Sequence, residues 1–210
     1  MEKSLGIGIL FGVAFGDRGA MLQNIAYNAI MAGHSRSDER EADYLGFVHS
    51  YKAGYNPYSM LLGLYKLSEL DQKYHYDLFS DHPEGKARVA LAQKYLKDAK
   101  VTPTVTQSED GKSAQVTDGQ WKLPPVYASL SGYKPVHRAC FVAGTLYRLK
   151  ALPDYSPDRY ILDTDGTNFT VYYNDRQVFT VVPEDAAAQG MSAQELANRY
   201  IEALRNWQAK

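Results

Sequence analysis

Ser35-Arg36-Ser37-Asp38-Glu39-Arg40-Glu41-Ala42-Asp43, with Gly46 close behind, is the stretch on which the reading of the whole chain turns. Ser35 and Asp38 have the spacing of a capping box. A helix is therefore expected from here to about Ala53, with Gly54 as its C-terminal stop. Glu39 and Asp43 stand four residues apart and project from one face of that helix. Carboxylates so placed repel by roughly 0.2–0.5 kcal/mol on a bare helix. A cation removes that cost: Arg36 or Arg40 as surface partners, or a metal held together with histidines. A helix start of mixed charge is ordinarily a solvated face, so these residues by themselves leave both readings open.

Downstream, Asn56-Pro57 reads as the start of the next helix, with Asn56 as N-cap and Pro57 at the first helical position. Met60, Leu61, Leu64, Leu67 and Leu70 form its apolar face. Tyr74 to Asp81 reads as a connection, and Pro83 opens a third helix with Val89, Ala92, Leu96 and Ala99 as its stripe. Upstream, Met21, Ile25, Ala29 and Ile30 follow a helical period that Gly33 ends. Lys3 followed by the apolar run Leu5 to Phe15 imitates a short signal peptide. The run is interrupted by Gly6, Gly8 and Gly12, no small-x-small cleavage site follows, and about 11 residues cannot span a bilayer.

Beyond residue 100 the character changes. Residues 101–130 are rich in Thr, Ser, Gly, Asp and Pro without clear periodicity, and are expected to form a linker with a short extended piece near Trp121. Residues 131–210 read as a small α+β module. Val136, Ala139, Cys140, Ala143, Leu146 and Tyr147 suit a helix. Tyr160–Leu162 and Phe169–Tyr173 alternate as strands, and Asn174-Asp175 turns the chain into Val178–Val182. Ser192 and Glu195 form a second capping box ahead of Leu196, Tyr200, Leu204 and Trp207 on one face of a terminal helix. The expected architecture is α+β: a helical unit over residues 1–100, the linker, then a helix–hairpin–helix module.

The chain of 210 residues is 45% hydrophobic, enough for a true core. Its 23 basic and 24 acidic residues leave a net charge of −1 and no basic block, which argues against a nucleic-acid partner. Cys140 is the single cysteine, so an internal disulfide and a multi-cysteine metal site are excluded. On an apolar helix face it is expected to be an inert core thiol.

Three elements occur in a fixed order across residues 35–88. The pattern S-R-x-x-E-x-x-A-D-x-x-G comes first. Ala53-Gly54-Tyr55-Asn56-Pro57 follows, then Asp81-His82-Pro83 with Arg88 five residues after the proline. Together they resemble the second zinc motif, the A-G-Y-x-P turn and the H-P-x-x-x-x-R element of the zinc metalloendopeptidases of the HtpX, BepA and CAAX-prenyl-protease type, which are gluzincins. The resemblance covers roughly residues 5–100 and implies that residues 1–100 are the helical part of a gluzincin peptidase domain. In that family two histidines of an HExxH helix and a later glutamate hold zinc, and the HExxH glutamate acts as general base. Carried over, Glu39 matches the third zinc ligand. Asp43 matches the carboxylate that orients a ligand histidine through its free ring N–H. His82 matches a histidine near the active-site cleft, and Arg88 braces that loop or contacts substrate.

The chain departs from the family at the decisive point. Its histidines are His34, His49, His75, His82 and His137, and none belongs to an HExxH. Glu39 with His82 gives two ligands at most, where a catalytic zinc needs three. The resemblance therefore implies a truncated or degenerate endopeptidase, inactive alone, acting in its intact form on protein or peptide substrates. The alternatives are a non-catalytic peptide-binding module and a subunit completed by a partner chain that carries HExxH. Relatives of this type place the protein in the periplasm or at the membrane of the cell envelope, with a cytoplasmic location also open and no transmembrane segment in this chain. The last module faintly resembles small extracytoplasmic domains, through Arg138-Ala139, Thr180-Val181, Asp185-Ala186 and Leu196-Ala197. The role expected of it is docking or substrate presentation.

Overall fold

The computed structural model describes residues 36–74 and 84–207. The expectations for Leu5–Phe15, the helix carrying Met21 to Ile30, the Ser35 cap, the connection after Tyr74, and His82-Pro83 fall outside the described residues. The architecture is α+β, with six helices and two three-stranded antiparallel sheets among the described residues. The chain divides into two compact units, one containing residues 36–49, 63–74 and 84–95, the other residues 50–62 and 96–207.

The first unit is helical. It draws on α1 (Arg36–Lys52), α2 (Ser59–Tyr74) and α3 (Glu84–Asp98). Among the described residues its buried apolar side chains are Phe47, Leu64 and Ala92, and Tyr95 meets Tyr44 edge-on at 5.3 Å and Phe47 at 5.5 Å. Of the apolar stripe expected of the third helix, Ala92 and Leu96 are buried while Val89 and Ala99 are half-buried, and Tyr95, outside that stripe, makes the ring contacts.

In the second unit, residues 50–62 contain the end of α1 and the start of α2. Gly54 takes a left-handed φ of 85°. The Gly54 and Tyr55 amides donate to Tyr51 O and Ser50 O at 3.2 and 3.1 Å, the paired bonds of a Schellman stop. Pro57 is not the first helical residue. Asn56 Oδ1 accepts from the Tyr58 amide at 2.9 Å, an Asx turn that holds Pro57 and Tyr58 outside the helix, and α2 begins at Ser59.

Residues 101–130, expected as a linker, fold instead into a sheet of order β1-β2-β3: Thr104–Gln107, Ala114–Asp118 and Trp121–Lys122. The turn-forming residues that suggested a linker sit between the strands, with Gly111 and Gly119 at φ 71° and 61°. Ala114, Val116, Leu123 and Val126 carry the buried face.

This sheet packs on α4 (Pro135–Lys150). Pro135, Val136, His137, Arg138, Ala139, Cys140, Val142, Ala143, Gly144, Leu146 and Leu149 are all buried, the mark of a central helix enclosed on several sides. A 3₁₀ turn at Pro157–Arg159 leads into the second sheet, β4 (Tyr160–Thr164), β5 (Phe169–Tyr173) and β6 (Arg176–Val181), an antiparallel meander. Asn174, at φ 54°, makes the tight turn between β5 and β6, a conformation asparagine tolerates. The short helix α5 (Pro183–Ala187) and α6 (Ala193–Arg205) close the unit, with Leu196, Ala197, Tyr200 and Leu204 of α6 buried against the second sheet. Ser192 Oγ accepts from the Glu195 amide at 3.1 Å, as its spacing predicts. Tyr155, Tyr160, Tyr173 and Trp207 form one aromatic cluster in this core, with Tyr155 and Tyr173 stacked at 5.5 Å. No helix among the described residues is long and apolar enough to cross a membrane.

Candidate functional site

Of the four residues singled out as a zinc-peptidase site, the structure brings two together. Arg88, on α3, donates from Nε and Nη2 to Asp43 Oδ2 and Oδ1 of α1 at 2.7 and 2.8 Å. This two-point contact matches the guanidinium fork to the carboxylate and fixes the direction of both side chains. The pair is partly buried, with the two side chains 23% and 12% exposed. The cation that Asp43 faces is thus Arg88 from another helix, where the sequence offered Arg36, Arg40 or a metal. The neighbouring Tyr95 hydroxyl has its pKa raised, first by burial and then by the Asp43 carboxylate. Glu39 lies on α1, but its side chain is outside the described residues, as is His82.

A second ion pair lies in the second unit, at residues to which sequence reasoning attached no chemistry. Arg138 of α4 gives Nη1 and Nη2 to Asp185 Oδ1 and Oδ2 at 3.1 and 2.8 Å. The same nitrogens donate to the carbonyls of Ala128 and Thr180 at 2.6 and 2.5 Å. Asp185 also accepts from the backbone amides of Tyr127, Ala128 and Val182. Its five donors come from three chain segments and fill the acceptor capacity of a carboxylate. Arg138 is 6% exposed and Asp185 fully buried, and the Phe179 ring covers the guanidinium at 4.8 Å. Two charges so deep are tolerated because each is paired, and because the carboxylate and both terminal guanidinium nitrogens also bond main-chain groups.

The four dipeptides of the faint resemblance all fall in this core. Arg138, Thr180 and Asp185 make the network, while Ala139, Val181, Ala186, Leu196 and Ala197 are buried around it. A signal for it was present in the sequence: a lone arginine inside the apolar run Val136 to Ala143 needs a partner. His137, given no partner by the sequence, is buried and accepts from the Lys134 amide through Nδ1 at 3.2 Å. Burial pushes the Cys140 thiol up to about 12, as befits a core residue.

Residues 114–209 match a family described as a domain of unknown function (DUF8459). The matched stretch takes in β2, α4, the second sheet and α6, and so contains the whole Arg138–Asp185 network. No curated protein and no solved structure matches the chain.

Among the described residues, no group of three or more His, Cys, Asp or Glu side chains stands together that could hold a metal. The described side chains do not by themselves fit a zinc ion, and no hydrolytic step is assigned to them.

Proposed function

We propose that the helical unit is the part of a zinc metalloendopeptidase of the HtpX, BepA and CAAX-prenyl-protease type that follows the histidine-bearing helix. On this reading the chain takes part in hydrolysis of protein or peptide substrates of the cell envelope only together with an HExxH segment. The supporting observation is the Asp43–Arg88 contact. It joins the S-R-x-x-E-x-x-A-D-x-x-G helix to the arginine of the H-P-x-x-x-x-R element across 45 residues of sequence. Random surface charges seldom meet through both carboxylate oxygens at 2.7–2.8 Å. In this role Arg88 is a positioning residue. It holds Asp43, and with it the helix face that carries Glu39, while an incoming histidine can still use a remaining lone pair of the Asp43 carboxylate.

The test starts from the reading frame upstream of Met1. An in-frame HExxH there, and one zinc per chain in the protein extended to include it, is the expected result. Glu39→Gln should then lower zinc affinity directly, and Arg88→Ala should lower it by about 10–100-fold, the range for outer-shell partners. If the upstream frame is closed, the reading passes to a partner chain, tested by zinc uptake on mixing the chain with an HExxH-bearing helix. Absence of zinc binding in both arrangements removes the peptidase reading, and so does tight stoichiometric zinc that survives Glu39→Gln.

A further inference from the structure

We propose that one face of α4 is a receptor for an Asn-Pro turn, and that its occupant is the Ala53-Gly54-Tyr55-Asn56-Pro57 turn of this same chain. Phe141, Gly144 and Arg148 recur at helical spacing and share that face. The Asn56 carboxamide lies directly against Gly144, where a Cβ would fall inside the carboxamide group. Asn56 Nδ2 donates to Phe141 O at 3.1 Å while its Oδ1 holds the Tyr58 amide at 2.9 Å, so both ends of the amide are used. One turn along, Arg148 donates to Tyr55 O at 2.9 and 2.6 Å and to Tyr51 O at 2.7 Å, main-chain carbonyls in the last turn of α1 and just beyond it. Its guanidinium also lies 5.1 Å from the Tyr51 ring centroid, and the Tyr51 and Tyr147 hydroxyls are in contact. Tyr58 Oη closes the set on Pro103 O at 2.8 Å.

The chemistry is selective. The notch takes a flat carboxamide and leaves no room for a side chain at 144. The arginine reads two main-chain carbonyls that converge only when a left-handed residue, here Gly54 at φ 85°, ends the preceding helix. The occupant lies outside residues 114–209, so the stretch that matches the domain of unknown function recognises a turn supplied from beyond its own boundary. The inference concerns contacts within the second unit and stands whether or not the peptidase reading holds.

Amide hydrogen exchange on the full chain tests it. Alanine is the better helix former, so Gly144→Ala should strengthen α4 if the notch were idle. With the notch occupied, the substitution should instead speed exchange at Gly54, Tyr55, Tyr58 and Ser59 by about tenfold or more, leaving Val171 and Phe179 of the second sheet unchanged. Asn56→Ala removes the clashing atoms, so adding Gly144→Ala in that background should change exchange little. Arg148→Gln gives a second reading, with faster exchange confined to residues 54–59, should Gly144→Ala not yield folded protein. The proposal is overturned if Gly144→Ala leaves residues 54–59 protected. It is equally overturned if the effect is the same with and without the Asn56 side chain, or if Arg148→Gln changes nothing there.

Discussion

Asp43–Arg88 in the helical unit and Arg138–Asp185 in the second unit are the same two-point contact between a guanidinium and a carboxylate, set in different surroundings. The first is partly open to water, and its two members stand on two helices. The second is sealed from solvent and binds backbone groups of Tyr127, Ala128, Thr180 and Val182 as well. The difference teaches that contact geometry does not set the weight of an ion pair; the number of other groups left unsatisfied when it breaks does. A pair like the first orients side chains and can be rebuilt with other partners. A pair like the second is part of the backbone's own hydrogen bonding.

The largest effect is therefore expected at Arg138 and Asp185. Arg138→Met or Asp185→Asn should each lower the unfolding free energy of the second unit by about 3–5 kcal/mol, the usual loss when one member of a buried pair goes. Chemical denaturation followed by tryptophan fluorescence reads this, because the Trp121 and Trp207 rings meet at 5.5 Å, tilted by 33°, in that unit. The apolar double substitution Arg138→Met with Asp185→Leu should not recover the loss, since the amides of Tyr127 and Ala128 stay orphaned. Full recovery would show that the pair stands alone and that the backbone groups around it carry no weight of their own.

Cys140 sharpens the same contrast without relying on optical probes. Its thiol is buried, and burial raises its pKa to about 12, so thiolate is scarce near neutral pH. Alkylation of the native protein should proceed only through opening of the second unit. Asp185→Asn should then accelerate labelling by about 100-fold or more, while Arg88→Ala, in the other unit, should leave it unchanged. Comparable acceleration by both substitutions would mean that the two pairs stabilise a single cooperative structure.

At Asp43–Arg88 a smaller loss is expected. Arg88→Met should cost about 1–2 kcal/mol in the helical unit, between the values for exposed pairs and for hydrogen bonds to charged groups. The exchanged pair Asp43→Arg with Arg88→Asp should restore most of it, because each residue keeps access to water. The same exchange at Arg138 and Asp185 should restore nothing, since an arginine at 185 cannot accept the three backbone N–H bonds. Urea denaturation followed by the helical circular dichroism signal measures both.

These contrasts also mark what could be read from sequence. The five longer helices and the β5–β6 hairpin announce themselves by period and punctuation, the short α5 does not, and Gly54, the Ser192 cap and Asn174 all sit where their chemistry demands. The first sheet did not, because its strands are only 4, 5 and 2 residues long, too short for alternation to rise above a background of turn residues. Asp43 and Arg88 were marked individually by motif resemblance, but nothing local says that residues so far apart touch. The Arg138–Asp185 network was the reverse case. Its residues stand out in the sequence only as adjacent pairs, yet their weight comes from tertiary contacts to main-chain groups that no side-chain pattern encodes.

The smallest effect separates the two regions by pH rather than by mutation. Tyr147 has its pKa raised to about 12, chiefly by burial and then by its contact with the Tyr51 hydroxyl. In the unfolded chain a tyrosine titrates near 10. The folded state therefore holds this proton more tightly. The contribution of Tyr147 is complete below about pH 10 and is lost as pH rises through about 12, because there the unfolded chain has already released the proton and the folded one must follow. Phenolate absorbance of the folded protein should show a late-titrating class of tyrosines that loses one member in Tyr147→Phe. Because Arg148 lies over this ring at 5.4 Å while holding Tyr51 O and Tyr55 O, the protection of the Gly54 and Tyr55 amides, with the base-catalysed rise of intrinsic exchange divided out, should fall over that same alkaline window. Protection there that falls well below pH 10, ahead of the ordinary tyrosine range, once base catalysis is divided out, would place the opening of the turn in some other group and detach Tyr147 from the α4 contact.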